Sequence, residues 1–195
     1  TDEEISRLKA CEKLCPHFHL SLQSGSDSVL KRMKRRYTCG EYSALAEKLR
    51  AAFPGCSITT DIMVGFPGET DEEFAESMAF VERLGFAKIH VFPYSIRPGT
   101  VAGMRPNQVL PHIKSARARK MNALAARVEQ EYLEKQTGTI QTVLIEKQTS
   151  PEFCHGFTES YIPVRIYGEN IPRHTLARVK ITGAEQGCCT GTTKF

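Results

Sequence analysis

The sequence predicts an α/β fold of parallel strands followed by a small all-β domain. Over residues 1–138, β-branched strands alternate with amphipathic helices, which is typical of parallel βαβ units. Over residues 139–195, short β-branched runs are separated by Pro, Gly and Asn, which predicts a small OB-like barrel. The length of 195 residues and the change of texture near Gly138 predict two domains, 1–138 and 139–195.

The first strand, turn and helix follow an opening helical stretch. The segment from His17 to Asp27 predicts a strand that ends in the small polar turn Gln23-Ser24-Gly25. Ser26 stands where it can cap the next helix. Thr38 and Glu41 predict the start of a further helix. The apolar face of that helix is predicted to comprise Leu45, Leu49 and Phe53.

The second strand and its turn form the most informative stretch of the chain. The run from Ile58 to Val64 is apolar and β-branched, as expected of a buried strand. Gly65 and Gly68 follow it, and their lack of a side chain lets backbone approach a ligand closely. Thr70 and Glu73 form a capping box that starts the next helix. Such a strand end is where α/β folds bind ligands, although a turn without a ligand is the alternative.

The remaining elements complete the expected order. The segment from Lys88 to Thr100 predicts a third strand and turn, with aromatic residues at the strand end. The residues from Gln108 to Gln136 predict one long helix on an Ala-rich background, which links the two domains. In the second domain, the predicted strands are Ile140 to Ile145, Tyr161 to Tyr167, and Leu176 to Ile181.

Three ordered motifs carry a resemblance to a known family. The strings HLSLQSGSDSVLKRM, TTDIMVGFPGETDEEF and HVFPYSIRPGT resemble the second half of the radical S-adenosylmethionine barrel of methylthiotransferases, a partial TIM barrel. The likeness runs from about Cys15 to Gly138, and the remainder resembles the TRAM domain of those enzymes. The ending of the third motif and the stretch 156–161 are most similar to the MtaB type. The resemblance implies thiomethylation of threonylcarbamoyladenosine beside the tRNA anticodon.

The resemblance implies S-adenosylmethionine as cofactor and places its candidate ligands at the strand ends. Gln23 and Ser24 suit hydrogen bonds to its ribose or amino-acid part, or they cap their own turn. Asp61 is a carboxylate in an apolar strand, where a cationic cofactor, an Arg or backbone amides would be partners. Phe92 and Tyr94 could stack on adenine or belong to the core. The full candidate set is Gln23, Ser24, Asp61, Gly65, Phe92 and Tyr94.

Enzymes of this family hold a 4Fe-4S cluster with three thiolates in a Cys-x3-Cys-x2-Cys arrangement. Cys11 and Cys15 match the first spacing, but Phe18 occupies the third position. We therefore expect this chain to be a fragment whose longer parent carries the cluster ligands upstream. We expect no metal ligand and no catalytic residue in the chain, which should supply binding surfaces and be inactive alone.

Clustered cations predict contact with RNA, and the resemblance implies a tRNA anticodon stem-loop as the partner. The first candidate group is Lys31, Arg32, Arg35 and Arg36, which lies just beyond the turn at Gln23. The second is Arg173, Arg178 and Lys180, with Tyr161 or Phe157 for base stacking. A third group on the long helix is expected to form a solvated face: Lys114, Arg117, Arg119, Lys120 and Arg127.

The cysteines indicate the cellular compartment of the chain, and the histidines indicate whether it binds a metal. The seven cysteines show no disulfide-like pattern, which predicts reduced thiols in the cytoplasm, and no apolar run reaches membrane length. We expect Cys39, Cys56 and Cys154 to be small buried or half-buried residues. His17 and His19 share one strand face, which permits a metal site, but packing against a helix is the favoured interpretation.

Two other functions remain open at this point. One is another radical S-adenosylmethionine enzyme, either a ribosomal-protein methylthiotransferase or an elongator-like acyltransferase. The other is a non-catalytic RNA-binding module. In each case, exposed strand edges of a truncated barrel could pair with a second copy, so oligomerisation is a further expectation.

Overall fold

The computed structural model describes residues 1–150, 152–168 and 171–195. The helices are α1 (Asp2–Lys9), α2 (Asp27–Arg32), α3 (Cys39–Ala52), α4 (Asp71–Leu84) and α5 (Pro111–Glu134). The strands are β1 (His17–His19), β2 (Ser57–Val64), β3 (Lys88–Pro93), β4 (Ile140–Gln148), β5 (Phe153–Thr158), β6 (Pro163–Tyr167), β7 (Leu176–Glu185) and β8 (Cys188–Thr192).

The chain divides into two compact units, which are described separately. The sheet unit comprises His19–Lys48 and Ile58–Val128. The barrel unit comprises Thr1–Phe18, Leu49–Ser57 and Glu129–Phe195.

Parallel strands form the predicted α/β sheet, in the order β1-β2-β3. β2 and β3 pair in parallel from Thr59 opposite Lys88 to Val64 opposite Pro93. The first strand is shorter than predicted, because after His19 only an isolated bridge between Gln23 and Ile62 continues the pairing.

The helices beside the sheet follow the local signals with two exceptions. In α4, the Thr70 hydroxyl accepts the Glu73 N–H at 3.2 Å, as the capping box predicts. In α3, by contrast, the predicted apolar face is wrong at Leu45, which is 37% exposed. The buried positions of this helix are Tyr42, Ala46 and Leu49.

The second exception concerns the start of α2. Ser26 occupies the predicted N-cap position, but its side chain makes no capping hydrogen bond. Its hydroxyl donates instead to the Glu76 carboxylate at 2.6 Å.

The end of the chain forms a small closed barrel with strand order β4-β5-β6-β8-β7. β4 and β7 contain the predicted runs and β6 begins two residues later than predicted, at Pro163, whereas β5 and β8 were not predicted. Gly156 in β5 is required because a Cβ there would lie 2.2 Å from the Leu144 carbonyl oxygen of β4. The barrel core contains Leu133, Val143, Ile145, Cys154, Ile162, Val164, Ile166, Val179, Ile181 and Cys189.

All seven cysteines are free thiols in the structure. Cys56 and Cys154 are buried and Cys39 is half-buried, as predicted. Among the described helices, none is both long and apolar enough to cross a membrane.

Candidate functional site

The carboxyl ends of the parallel strands meet at one edge of the sheet unit. Gln23 and Gly65 both adopt left-handed backbone conformations there, with φ of 70° and 72°. The Gln23 N–H donates to the Asp61 carbonyl at 2.8 Å, and the Tyr94 N–H donates to the Val64 carbonyl at 2.8 Å. The structure therefore brings the three predicted strand-end turns side by side, at the edge where parallel α/β sheets bind ligands.

A buried ion pair stabilises the turn after β2. The Glu69 carboxylate accepts the Gly65 N–H at 2.6 Å and an Arg117 guanidinium N–H at 2.7 Å. The exposed fractions of the two side chains are 7% for Arg117 and 1% for Glu69. Burial raises the pKa of Glu69, while the Gly65 amide and Arg117 act in the opposite direction. The turn is thus held by a carboxylate whose charge depends on a residue of α5.

A second cation of α5 holds the turn after β3. The Lys114 ammonium donates to the Tyr94 carbonyl at 3.0 Å and lies 5.1 Å from the centre of the Tyr94 ring. Its alkyl chain also covers Gly65, since a Cβ on that glycine would lie 2.5 Å from Lys114 Cγ. The prediction of a solvated cationic face on α5 is therefore wrong for Arg117, which is buried, and Lys114 is tied to the sheet.

A cavity of about 440 Å³ lies beside the end of β3. Phe92 projects from it with 51% exposure, whereas Tyr94 is 9% exposed and packs against Phe66 with ring centroids 5.3 Å apart. The Tyr94 hydroxyl is buried and has no hydrogen-bond partner among the described residues. The cavity wall includes Met63, Phe92, Tyr94, Arg97, Thr100 and Ala102.

Asp61 lies on a polar face of the sheet. Its carboxylate accepts the Ser21 hydroxyl at 3.0 Å and lies 3.1 Å from His19 Nε2, and its side chain is 27% exposed. The other ring nitrogen of His19 lies 3.0 Å from the Thr59 hydroxyl. Asp61 is thus partnered by His19 of β1 and by Ser21, which follows that strand. His19 bonds to polar groups of β2 instead of packing against a helix.

The polar turn after β1 is largely closed. Ser24 is 1% exposed, and its hydroxyl accepts the Ser26 N–H at 3.3 Å, which is the turn-capping alternative for this residue. Gln23 remains half-buried at the strand end.

The candidate RNA-binding cations differ in their environments. Arg32 forms a two-pronged ion pair with Glu73, with one N–H to carboxylate distance of 2.9 Å. This contact holds the pKa of Glu73 down at about 2. The other members of both predicted groups are exposed: Lys31, Arg35, Arg36, Arg173, Arg178 and Lys180.

Comparison with known proteins first defines the class. Residues 1–81 match the Radical SAM superfamily. The structure is similar to coproporphyrinogen III oxidase (HemN) from Escherichia coli, described as a radical SAM enzyme, with a TM-score of 0.51 and 20% identity. The match covers 58% of this chain and 27% of that protein, and at this identity it shows the fold alone.

Sequence relatives then give the particular group. The chain is 38% identical over 188 residues to "Threonylcarbamoyladenosine tRNA methylthiotransferase MtaB" of Bacillus subtilis, covering 94% of this chain. It is 36% identical over 189 residues to "tRNA-2-methylthio-N(6)-dimethylallyladenosine synthase" of Pelotomaculum thermopropionicum, covering 96% of this chain. The chain spans 42% of the length of each relative. It is a homologue of radical SAM tRNA methylthiotransferases, which confirms the family resemblance.

Proposed function

We propose that this chain is the part of a tRNA methylthiotransferase that holds S-adenosylmethionine and tRNA during transfer of a methylthio group to C2 of threonylcarbamoyladenosine. The observation that carries the proposal is the cavity beside the end of β3, whose wall includes Phe92 and Tyr94, in a homologue of these enzymes. Relatives of the dimethylallyladenosine type match at similar identity, so that nucleoside is the second candidate substrate. The cytoplasm is the proposed location.

The strand-end residues fit S-adenosylmethionine chemically. Phe92 offers an exposed ring for stacking on adenine. The space beside Gly65 is filled by the Lys114 side chain, so Gly65 would act by shaping the turn after β2. Tyr94 carries a buried hydroxyl that has no hydrogen-bond partner within the described part of the chain, and Gln23 and Asp61 carry polar side chains on or beside adjacent strands. When bound, the cofactor supplies the radical chemistry and the methyl group. These residues would orient it, with Ser24 acting through the shape of its turn.

The donor set for a 4Fe-4S cluster does not fit this chain. Cys11 and Cys15 are exposed thiols, but Phe18 takes the third position and lies 5.1 Å from the ring of Phe53. Within residues 1–150, 152–168 and 171–195, no three His, Cys, Asp or Glu side chains are grouped to hold a metal ion. The proposal therefore assigns the cluster ligands to other parts of a longer enzyme and treats the chain alone as inactive.

The small barrel is the proposed TRAM-like, OB-like domain. OB barrels bind oligonucleotides on the face of their second and third strands and on adjoining loops. Exposed cations at Arg173, Arg178 and Lys180 would contact tRNA phosphates, and Lys31, Arg35 and Arg36 would do so from the sheet unit. Arg32 would act by holding α4 through Glu73. β1 is an edge strand of the sheet, so pairing with a second copy through it is part of the proposal.

Isothermal titration with S-adenosylmethionine tests the cofactor site on the 195-residue chain. Phe92→Ala is expected to weaken binding about 5-fold, because one stacking contact is worth about 1 kcal/mol. Phe195→Ala removes another ring, 58% exposed, and is the matched control. Equal affinities for the two variants would contradict the assignment of Phe92, and no measurable heat with the parent chain would contradict cofactor binding.

The substrate is tested with anticodon stem-loop RNAs that carry unmodified, threonylcarbamoyl or dimethylallyl adenosine. Tightest binding of the threonylcarbamoyl RNA supports the proposal, and preference for the dimethylallyl RNA would support the second candidate. Incubation of the chain with tRNA, S-adenosylmethionine and a reductant should give no methylthiolated nucleoside by mass spectrometry. Its formation would contradict the inactivity of the chain.

A further inference from the structure

Among the described residues, the cavity beside the end of β3 has one charged side chain in its wall, that of Arg97. The rest of the wall is apolar, aromatic or hydroxyl-bearing and contains no acid: Met63, Phe92, Pro93, Tyr94, Ser95, Thr100 and Ala102. Within the described part of the chain, Arg97 forms no ion pair. A ligand that enters this cavity therefore meets a guanidinium whose charge is not balanced by a neighbouring carboxylate.

Hydrogen bonds and close packing fix the loop that carries Arg97. The Arg97 carbonyl accepts the Thr100 hydroxyl at 2.8 Å, and the Gly103 N–H donates to that hydroxyl at 3.1 Å. Gly103 packs against the same carbonyl, since a Cβ there would lie 2.6 Å from its oxygen. The Gln108 amide donates to the Ala102 carbonyl at 2.8 Å. The backbone of Arg97 is thus held in place before a ligand binds, which lowers the entropic cost of binding.

The threonylcarbamoyl group matches this wall in charge and in hydrogen bonding. It carries a carboxylate and a hydroxyl, whereas the dimethylallyl group is an uncharged hydrocarbon. A guanidinium binds a carboxylate through two parallel N–H donors, and the exposed residue Ser95 adds a hydroxyl to the same wall. A site built for such polar groups discriminates strongly against an analogue that lacks them.

S-adenosylmethionine also carries a carboxylate, and net charge decides between the two ligands. Its methionine end bears an ammonium and a sulfonium besides the carboxylate, so it is cationic overall at neutral pH. A cationic group beside Arg97 is repelled, whereas the threonylcarbamoyl group brings a net negative charge. The electrostatics of the cavity therefore favour the substituent of the nucleoside as the partner of Arg97.

We propose that Arg97 binds the carboxylate of the threonylcarbamoyl group and selects this nucleoside over its dimethylallyl counterpart. The inference rests on the proposed function, because it takes the modified adenosine as the ligand. Phe92, which is assigned to the cofactor, lies within β3, whereas Arg97 lies on the loop that follows the end of this strand at Pro93. The cofactor and the nucleoside substituent are thus assigned to different residues of the wall.

Binding of anticodon stem-loop RNAs to the 195-residue chain, followed by fluorescence anisotropy, tests this assignment. The RNAs carry threonylcarbamoyladenosine, its methyl ester or dimethylallyladenosine, and the ester removes the negative charge while it keeps the rest of the group. The parent chain should bind the acid about 5- to 10-fold more tightly than the ester, between the contributions of an exposed ion pair and of a hydrogen bond to a charged group.

Two substitutions at Arg97 and one control establish which cation is responsible. Arg97→Gln should abolish the difference between acid and ester, and Arg97→Lys should retain part of it, because lysine keeps the charge but not the two-pronged geometry. Arg119→Gln removes an exposed arginine of α5 outside the cavity wall and should leave the acid-to-ester ratio unchanged. Higher salt should reduce the ratio in the parent chain but not in Arg97→Gln. Circular dichroism and thermal melting verify that each variant folds.

The contrary results separate this inference from the proposed function. Equal affinity of the parent chain for the acid and ester RNAs would overturn the inference. A preference for the acid that persists in Arg97→Gln would also overturn it, while leaving threonylcarbamoyladenosine as the proposed substrate. Tightest binding of the dimethylallyl RNA would refute the proposed substrate and the inference together.

Titration of the same variants with S-adenosylmethionine distinguishes the two sources of a carboxylate. Unchanged cofactor affinity in Arg97→Gln, together with loss of the acid-to-ester difference, supports the assignment to the nucleoside. Weaker cofactor binding in Arg97→Gln with an unchanged acid-to-ester ratio would assign Arg97 to the carboxylate of the cofactor and would overturn the inference.

Discussion

Replacing Arg117 with methionine tests how the turn after β2 is held. Methionine keeps the length and much of the apolar volume of the arginine stem, so it removes mainly the charge and the donors. Among the residues that the structure describes, Glu69 would then keep only the Gly65 N–H as a hydrogen-bond partner of its carboxylate, in a site where its side chain is 1% exposed. Arg117 also contacts Asp71 at 2.8 Å, but that carboxylate is 88% exposed and can be solvated when the contact is lost.

The expected loss of unfolding free energy is large and depends on pH. Removing one partner of a buried ion pair costs about 3–5 kcal/mol, because the remaining charge is left uncompensated. Burial already raises the pKa of Glu69, and loss of Arg117 raises it further. A folded-state pKa above the unfolded value means that the folded variant binds the extra proton. Its stability should therefore fall as pH rises from the unfolded pKa to the folded one, by up to about 1.4 kcal/mol per pH unit.

Urea unfolding between pH 5 and pH 8, combined with exchange of the Gly65 amide, measures both effects. Arg127→Met is the matched control on the same helix, since Arg127 pairs with Glu82 at 51% and 53% exposure and such pairs are worth about 0–1 kcal/mol. The double variant Arg117→Met/Glu69→Gln should recover much of the loss, because no buried charge remains. The reasoning is refuted if Arg117→Met is no more destabilising than Arg127→Met, or if its deficit does not increase with pH.

Three further predictions address the turns and thiols. Gly65→Ala should lower the free energy of unfolding, measured in urea, by more than Gly55→Ala does. Both glycines have positive φ, so each substitution should cost about 1–2 kcal/mol of backbone strain. Of the two, Gly65 alone has a neighbour in the way, since its added Cβ would lie 2.5 Å from Lys114 of α5. Equal losses would contradict the close contact. Arg32→Gln should raise the pH at the midpoint of acid unfolding. The pKa of Glu73 is held at about 2, so Glu73 contributes stability that is lost only as pH falls from its unfolded pKa towards 2. An unchanged midpoint pH would argue against the ion pair. Cys189, whose pKa is raised to about 12 by burial, should resist iodoacetamide at pH 8 until the chain unfolds, with the two exposed thiols as internal controls in mass spectrometry.

Local patterns predicted the parts of the fold that local interactions determine. The helix from Asp71 to Leu84 begins at a Thr70 capping box and ends at a left-handed Gly85, and all of these contacts lie within a few residues. The role of Arg117 was not predicted, because its partner Glu69 is 48 residues away and a helical pattern does not distinguish a buried arginine from a solvated one.

The missed strands have a similar physical explanation. β5 and β8 contain Gly156 and Gly191, which weaken a strand pattern, yet close approach of neighbouring backbone requires glycine at both positions. The adjacent residues Cys188 and Cys189 of β8 also lack the β-branched side chains that indicate a strand.

Lys114 and Arg117 lie three residues apart on α5, which corresponds to about 4.5 Å along the helix axis. One is bonded to the turn after β3 and the other to the turn after β2. A single rigid helix therefore sets the spacing of two loops that belong to different strands. If either loop separates from its strand end, α5 moves and the contact that it makes with the other loop is disturbed. The two loops should therefore open together, and their amides should exchange with solvent at a common rate.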